Sequence, residues 1–356
     1  MNNPRLHRRT ILGAGATLLT STFTTSGFTQ DAKPDPYADA KLIPGEPSAI
    51  SQGSFTIAVL PDTQHYSEKF PKSFSAQTQW IVDQQKARNI SCVLHLGDIT
   101  NHSTDKEWDN AVAAMSLLDG KIPYFMVPGN HDYSDGGGCK DRNTKMSKYF
   151  PIAKLRKQKG FGDVYDKETD RVENSFHFFE AGGRKFLVLG LEFGPRRDVV
   201  RWANEVVTAN KDREVILITH AYMYFDDTRY DWKKYGDKQK WNPHAYPVAK
   251  ATKDDVTDGE ELWTQLVSNH DNFIMTLNGH VLEDGLGRIA TKTPKGREIH
   301  QMLVNFQMRP KGGDGWLRLI EMNADGSAQV VDYSPVRNEH NVSAQNAFKI
   351  NLASLA

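Results

Sequence analysis

From Phe55 onward, short apolar runs alternate with stretches whose apolar residues recur at helical spacing. "FTIAVL" precedes a helical pattern from about Phe74 to Arg88, "ISCVLHL" precedes a second from about Asp105 to Leu118, and "PYFMVP" follows. Apolar runs this short read as strands buried on both faces, and their alternation with amphipathic helices predicts an α/β core with parallel strands. The second half changes character. There "SFHFFE", "KFLVLGLE", "EVILITH", "FIMTLNGH", "HQMLVNF", "GWLRLIEM" and "AQVVDYSP" predict many strands with fewer helices between them. Two sheets packed together, with helices outside, accommodate both halves in one domain over residues 54–356.

The N-terminal flank differs. Residues 1–30 begin with a basic segment ending in Arg8 and Arg9, then run from Ile11 to Phe28 with three Gly and seven Thr or Ser. So diluted a run is poor for a permanent span and reads as a removable export signal of twin-arginine type. The expectation is a periplasmic or extracellular protein with no membrane span after signal removal. Residues 31–53, rich in Pro, Asp, Ala and Ser, are expected to be a linker.

Composition adds exclusions. Lys plus Arg and Asp plus Glu are equal at 44 each, so no global basic field exists to hold bulk nucleic acid. Two cysteines in 356 residues make no disulfide framework, and Cys92, inside an apolar run, reads as a small buried residue.

The chemically loaded residues stand at the C-terminal ends of the apolar runs: Asp62, Asp98, Asn130 with His131 and Asp132, His220, and His280. In an α/β sheet that edge gathers loops on a rigid support, so separate strand ends converge on one site. The donors are carboxylate, amide and imidazole with no thiolate cluster, a set suited to Mn, Fe, Zn or Mg. A carboxylate such as Asp98 can bridge two divalent cations, which clamp a phosphate and lower the pKa of bound water, giving a hydroxide nucleophile. No GxSxG elbow offers an alternative nucleophile.

Five motifs, "PDTQ", "LGDIT", "VPGNHD", "ITHAY" and "NGHVL", occur in this order between Phe55 and Leu282. Singly, Gly-Asp or Gly-His is ordinary turn chemistry; in order, each after a strand, the set resembles the calcineurin-like metallophosphoesterase superfamily. That resemblance implies a four-layer α/β/β/α sandwich and a metal-dependent phosphoesterase acting on a small-molecule, glycan or nucleotide phosphate mono- or diester. It implies one metal at Asp62, Gln64 and Asp98, and a second at Asp98, Asn130, His220 and His280. It further implies that His131 contacts the phosphate and leaving group, oriented by Asp132. Two positions depart from the family pattern: Gln64 stands for His in DxH, and Leu282 for the second His of GHxH. Both fall on the first metal, which is expected to be oxygen-rich and weak, preferring Mn, Mg or Fe. His65, His102, His244, Glu283 and Asp284 are nearby groups that could fill the gap, although surface or supporting roles are more common for such residues, and His95 is expected to be a satisfied core residue. The alternative is a non-catalytic protein on the same fold that keeps one metal and holds a glycan or nucleotide.

The segment 221–247 has no clear periodicity and carries eight aromatics in 27 residues. It is expected either to be a specificity loop, with Arg229, Lys233, Lys234 and Lys240 attracting phosphate, or to use its rings as anchors. The Gly-rich stretch "DYSDGGGCKDRN" is expected to form a flexible rim.

Overall fold

Side chains of a strand alternate between faces, and Phe55–Leu60 uses both: all six residues are buried. Phe55, Ile57 and Val59 join one apolar cluster, while Ala58 and Leu60 join another. The chain is described by a computed structural model covering residues 37–38 and 40–352. The expected export signal, residues 1–30, lies outside the described residues.

The strands, in chain order, are β1 (Leu42–Pro44), β2 (Phe55–Leu60), β3 (Ile90–His95), β4 (Tyr124–Met126), β5 (Phe161–Val164), β6 (Ser175–Ala181), β7 (Arg184–Leu191) and β8 (Glu214–Thr219). They continue with β9 (Phe273–Asn278), β10 (Leu286–Lys292), β11 (Glu298–Val304), β12 (Leu317–Met322), β13 (Ser327–Ser334), β14 (Glu339–Asn341) and β15 (Ala347–Asn351). One sheet runs β1-β14-β13-β12-β2-β3-β4 with β15 beside β13, and the other runs β10-β11-β9-β8-β7-β6-β5. Among the described residues, parallel pairing is confined to β2-β3-β4 and to β7-β8-β9-β11, so the predicted parallel core exists in both sheets and is extended by antiparallel strands.

Three apolar clusters define four layers. Between the sheets, Ile57, Leu94 and Phe125 meet Val188, Ile216 and Leu277. Outside the first sheet, Ala58 and Val93 pack with Phe74, Ile81 and Trp108 from the helices α1 (Gln64–Lys69), α2 (Pro71–Asp83) and α3 (Asp105–Met115) and their surroundings. Outside the second, Leu189 and Leu217 pack with Val199, Trp202 and Leu262 of the helices Arg197–Ala209 and Gly259–Gln265. The fold is the α/β/β/α sandwich of the metallophosphoesterase type.

Local chemistry sets the boundaries. Thr104 and Glu107 form a reciprocal capping box that starts α3 where the sequence pattern placed it. Pro71 opens α2, its missing N–H being one that a first turn leaves unpaired anyway. That helix ends at Asp83 instead of the expected Arg88, and turns carry the chain on to Asn89, where the Arg88 guanidinium bonds Glu321 and the carbonyls of Pro47 and Ser48. Within the span expected as a linker, Leu42–Pro44 pairs with β14 at the edge of the first sheet. Its three residues are exposed, so no apolar alternation announced a strand.

The 221–247 segment is anchored. Tyr222, Tyr224 and Tyr230 are buried in the outer cluster, and Arg229 pairs with Glu260 and Gln301 instead of facing a phosphate. Asp258 accepts hydrogen bonds from Trp232 N–H at 2.6 Å and Asn242 Nδ2 at 3.2 Å. His244 bridges Asp254 at 2.6 Å and Glu261 at 2.9 Å. Burial opposes a charged ring, but hydrogen bonds to Glu261 and Asp254 outweigh it and push His244 up to about 9. A pKa above the unfolded value, about 6.5, stabilises the fold fully below pH about 6.5 and loses that effect as pH rises toward about 9. His244→Gln is therefore expected to lower the thermal midpoint most at pH 6 and to converge on the parent above pH about 9 in paired melts; a pH-independent difference would contradict the charged clamp.

Candidate metal and phosphoester site

The loops after β2, β3, β4, β8 and β9 carry Asp62, Asp98, Asn130, His220 and His280, and the two sheets bring these residues together. Their motif glycines are explained by close approach. A Cβ on Gly129 would overlap Asp98 Oδ1, and one on Gly279 would overlap Asp62 Oδ2. Asp98 and His280 themselves adopt φ of 48° and 78°, a left-handed conformation uncommon for such residues and concentrated at functional sites.

Asp62 and Asp98 are 2% and 1% exposed. Asp62 accepts the His280 backbone N–H at 2.9 Å, and Asp98 Oδ1 accepts that of His131 at 3.0 Å. His220 Nδ1 lies 2.8 Å from the Leu96 carbonyl, which can only accept, so Nδ1 carries a proton and Nε2 is the free donor atom. Nε2 stands 3.2 Å from Asp98 Oδ1 and 3.9 Å from Asp62 Oδ1 without a hydrogen bond. His280 Nε2 likewise donates to the Trp241 carbonyl at 2.8 Å, leaving Nδ1 with its lone pair. Asp98, His220 and His280 offer donor atoms all within 4.8 Å of one another.

The electrostatics match an arrangement that lacks positive charge. Burial pushes Asp62 up to about 7, with the Asp98 charge adding to it and His220 opposing. Burial opposes charge on Asp98 too, but His220 and His131 hold its carboxyl below the usual carboxylate range. Burial also works against a charged His220, yet Asp98 pushes it up to about 9. Three buried oxygens at or beside the site, Gln64 Oε1, Asn130 Oδ1 and Gln307 Oε1, have no hydrogen-bond partner. Buried acceptors and an unbonded imidazole nitrogen beside a carboxylate are each satisfied by a divalent cation, so this donor set fits the metals that the sequence implied.

Asp132 does not orient His131. Its carboxylate accepts from the N–H groups of Ile99, Thr100 and Gly129 and from the Thr100 hydroxyl, at 2.8 to 3.0 Å, and so latches the loop after β3 to the loop after β4. His131 is oriented by the Asn101 carbonyl, 2.8 Å from Nδ1, which leaves Nε2 for the cleft. Asp98, Asn130, His131 and His280 line a cleft of ≈ 60 Å³ with Trp241, Tyr246, Leu282 and Gln307. Gln64 is the first residue of α1, and its Nε2 reaches Asn101 Oδ1 at 3.5 Å.

The nearby groups weighed for the first site do not fill it. His65 pairs with Glu68, His102 with Glu107, and His244 with its clamp partners; Asp284 Oδ1 accepts the Leu286 N–H, and Glu283 is exposed. His95 is fully buried, with Nε2 2.9 Å from the Thr63 hydroxyl, as a satisfied core histidine. The Gly-rich rim is partly packed: Cys139 is buried and Gly136 N–H bonds the His102 carbonyl. Sequence reasoning missed Gln307 and the carbonyls of Leu96, Asn101 and Trp241. Backbone groups carry no sequence signal. Gln307 follows the apolar run "HQMLVNF", but only the parallel pairing of that strand with β9 places its end at this edge.

Overall similarity extends to known proteins. The structure of purple acid phosphatase PPD1 from yellow lupin (Lupinus luteus) seeds aligns with a TM-score of 0.48 and 12% identity, covering 87% of this chain and 55% of that one. A 5'-nucleotidase precursor from Thermus thermophilus aligns with a TM-score of 0.42 and 11% identity, covering 84% and 54%. By sequence, the Bacillus subtilis (strain 168) protein "Uncharacterized protein YvnB" is 30% identical over 301 residues. That match covers 81% of this chain and 20% of the relative, so the chain spans about a fifth of its length. The family model described as Calcineurin-like phosphoesterase matches residues 55–282, from the first residue of β2 through His280 to Leu282, and the chain therefore belongs to the calcineurin-like phosphoesterase family.

Proposed function

We propose that this protein is an exported, divalent-metal-dependent phosphoesterase that hydrolyses a phosphate mono- or diester of a small molecule, glycan or nucleotide. The observation that carries the reading is the unbonded Nε2 of His220 facing Asp98 and Asp62 in a buried site. Asp62, Gln64 and Asp98 would hold one ion, and Asp98, Asn130, His220 and His280 the other. Bound divalent ions supply positive charge for phosphoryl oxygens and activate water.

The chain's own groups do the rest. The Asn101 carbonyl accepts from His131 Nδ1 and so fixes the ring with Nε2 left for the cleft, where a protonated ring would donate to the leaving-group oxygen. The Asp132 latch keeps the β3 and β4 loops in register, so Asp98 and Asn130 stay converged. A cleft of ≈ 60 Å³ is far smaller than the roughly 300–1,000 Å³ of pockets that engulf a whole ligand. It admits a phosphoryl group and leaves most of the alcohol portion outside, against Trp241, Tyr246 and Leu282. Export rests on the twin-arginine-like start; no helix among the described residues is long and apolar enough to cross a membrane.

The cleft wall at Leu282 favours a second reading, a single-metal binding protein without turnover. Hydrolysis of aryl phosphate mono- and diesters with Mn separates the two. Chelation is expected to abolish hydrolysis and Mn to restore it; His131→Ala should lower kcat by about 10²–10⁴-fold, and Asp98→Ala by at least as much. Unchanged rates in both variants would end the enzyme reading. Gln64→His, which replaces an amide oxygen by imidazole, is expected to tighten the weaker ion and move its preference toward Zn in competition with Mn. Identical metal content and preference would show that Gln64 is no ligand.

A further inference from the structure

Gln307 lies beyond the span that the family model matches, and its environment singles it out. Its side chain is 8% exposed and lines the cleft beside Leu282 and His280, yet Oε1 has no hydrogen-bond partner. A buried amide oxygen left unpaired costs about 1–3 kcal/mol, so a persistent one calls for a partner that the chain itself does not supply.

The segment carrying Gln307 is fixed at both ends to elements of the first metal position. On one side, Asn305 Nδ2 donates to the Val281 carbonyl at 3.2 Å, and Asn305 N–H to the Gly285 carbonyl at 2.7 Å. These bonds tie it to the loop in which Leu282 stands. Asn305 Oδ1 in turn accepts the Gln307 N–H at 2.9 Å, which fixes where the Gln307 side chain departs. On the other side, Gly315 N–H donates to the Tyr66 hydroxyl at 2.8 Å, and a Cβ on Gly312 would overlap that of His65. Those contacts press the segment on α1, whose first residue is Gln64. Gln64 Oε1 is, like Gln307 Oε1, an unpaired, buried amide oxygen.

From this we infer that Gln307 Oε1 is a ligand of the first metal ion, supplying from the end of β11 the donor that Leu282 cannot. The inference rests on the two-metal reading above. With Asp62, Gln64 and Asp98, it makes the first site an all-oxygen set, suited to Mn or Mg, beside a second site that holds two imidazoles.

The test uses the full chain, stripped with chelator and titrated with Mn by calorimetry, with metal content measured after gel filtration. The parent is expected to bind two ions of unequal affinity. Gln307→Leu should weaken the weaker ion by about 10–100-fold or more and leave the tighter one unchanged, since even outer-shell partners have effects of that size. Gln307→Glu, which keeps an oxygen and adds charge, should tighten the same ion. Opposite shifts distinguish a ligand from a packing residue, because misfolding would weaken binding in both variants. Unchanged Mn binding in Gln307→Leu, or loss of the tighter ion instead, overturns the inference even if only KM rises. Such a result leaves the phosphoesterase reading in place. Absence of hydrolysis by the parent with any divalent ion removes that reading while the Mn titration still decides Gln307.

Discussion

Two carboxylates, Asp62 and Asp98, are buried where the two sheets end, and the rest of the site answers that constraint. Removing a carboxylate from water costs several kcal/mol unless charge and hydrogen bonds replace the lost hydration. Backbone N–H groups of His280 and His131 provide part of the replacement, and they reach the carboxylates only because Gly279 and Gly129 have no Cβ. The left-handed backbones of Asp98 and His280 belong to the same compromise: local strain is accepted so that donors converge. What the chain does not provide is net positive charge. The His220 Nε2 left without a hydrogen bond at 3.2 Å from a carboxylate is the mark of that shortfall, and it defines where a cation belongs.

Rigidity around this charge problem comes from groups that do no chemistry themselves. Asp132 uses both oxygens on backbone and hydroxyl donors of two loops, an arrangement that leaves nothing for His131. His95, one strand position from the Leu96 carbonyl that holds His220, is itself held by Thr63, the residue before Gln64. The loops after β2, β3 and β4 are thus cross-braced before any ion enters. Preorganised donors of this kind lose little freedom on binding a metal or a phosphoryl group.

The strands of the parallel core, the layers and the residues at five strand ends were legible in the sequence. Continuous apolar runs such as "FTIAVL" must be covered on both faces, and Gly-Asp or Gly-Asn-His-Asp at their ends has few other uses in combination. Illegible features share a cause. β1 joins an exposed sheet edge and carries no alternation, and the tautomers of His131, His220 and His280 are set by carbonyls that every residue possesses. The role that the resemblance implied for Asp132 is not met, because its carboxylate is occupied by donors of two loops while His131 Nδ1 meets the Asn101 carbonyl. Gln307 went unread for a different reason. β11 is parallel to β9, but its hairpin partner β10 is antiparallel, and only the sheet order reveals that its end faces the site.

The aromatic segment 221–247 acts on the site through its backbone as well as through the rings of Trp241 and Tyr246. Three of its tyrosines are spent on the outer core, yet Trp241 adopts φ 65° and turns its carbonyl onto His280 Nε2. That bond places the His280 proton on Nε2 and therefore the lone pair on Nδ1, the state a metal ligand needs. The bond persists only while the loop stays seated, and the seat is the set of Asp258 and His244 contacts that join the loop to the helix Gly259–Gln265 and its approach. The tautomer of His280 is consequently coupled to a surface clamp through the backbone of one tryptophan, and the ring of Trp241 is left to form the cleft wall.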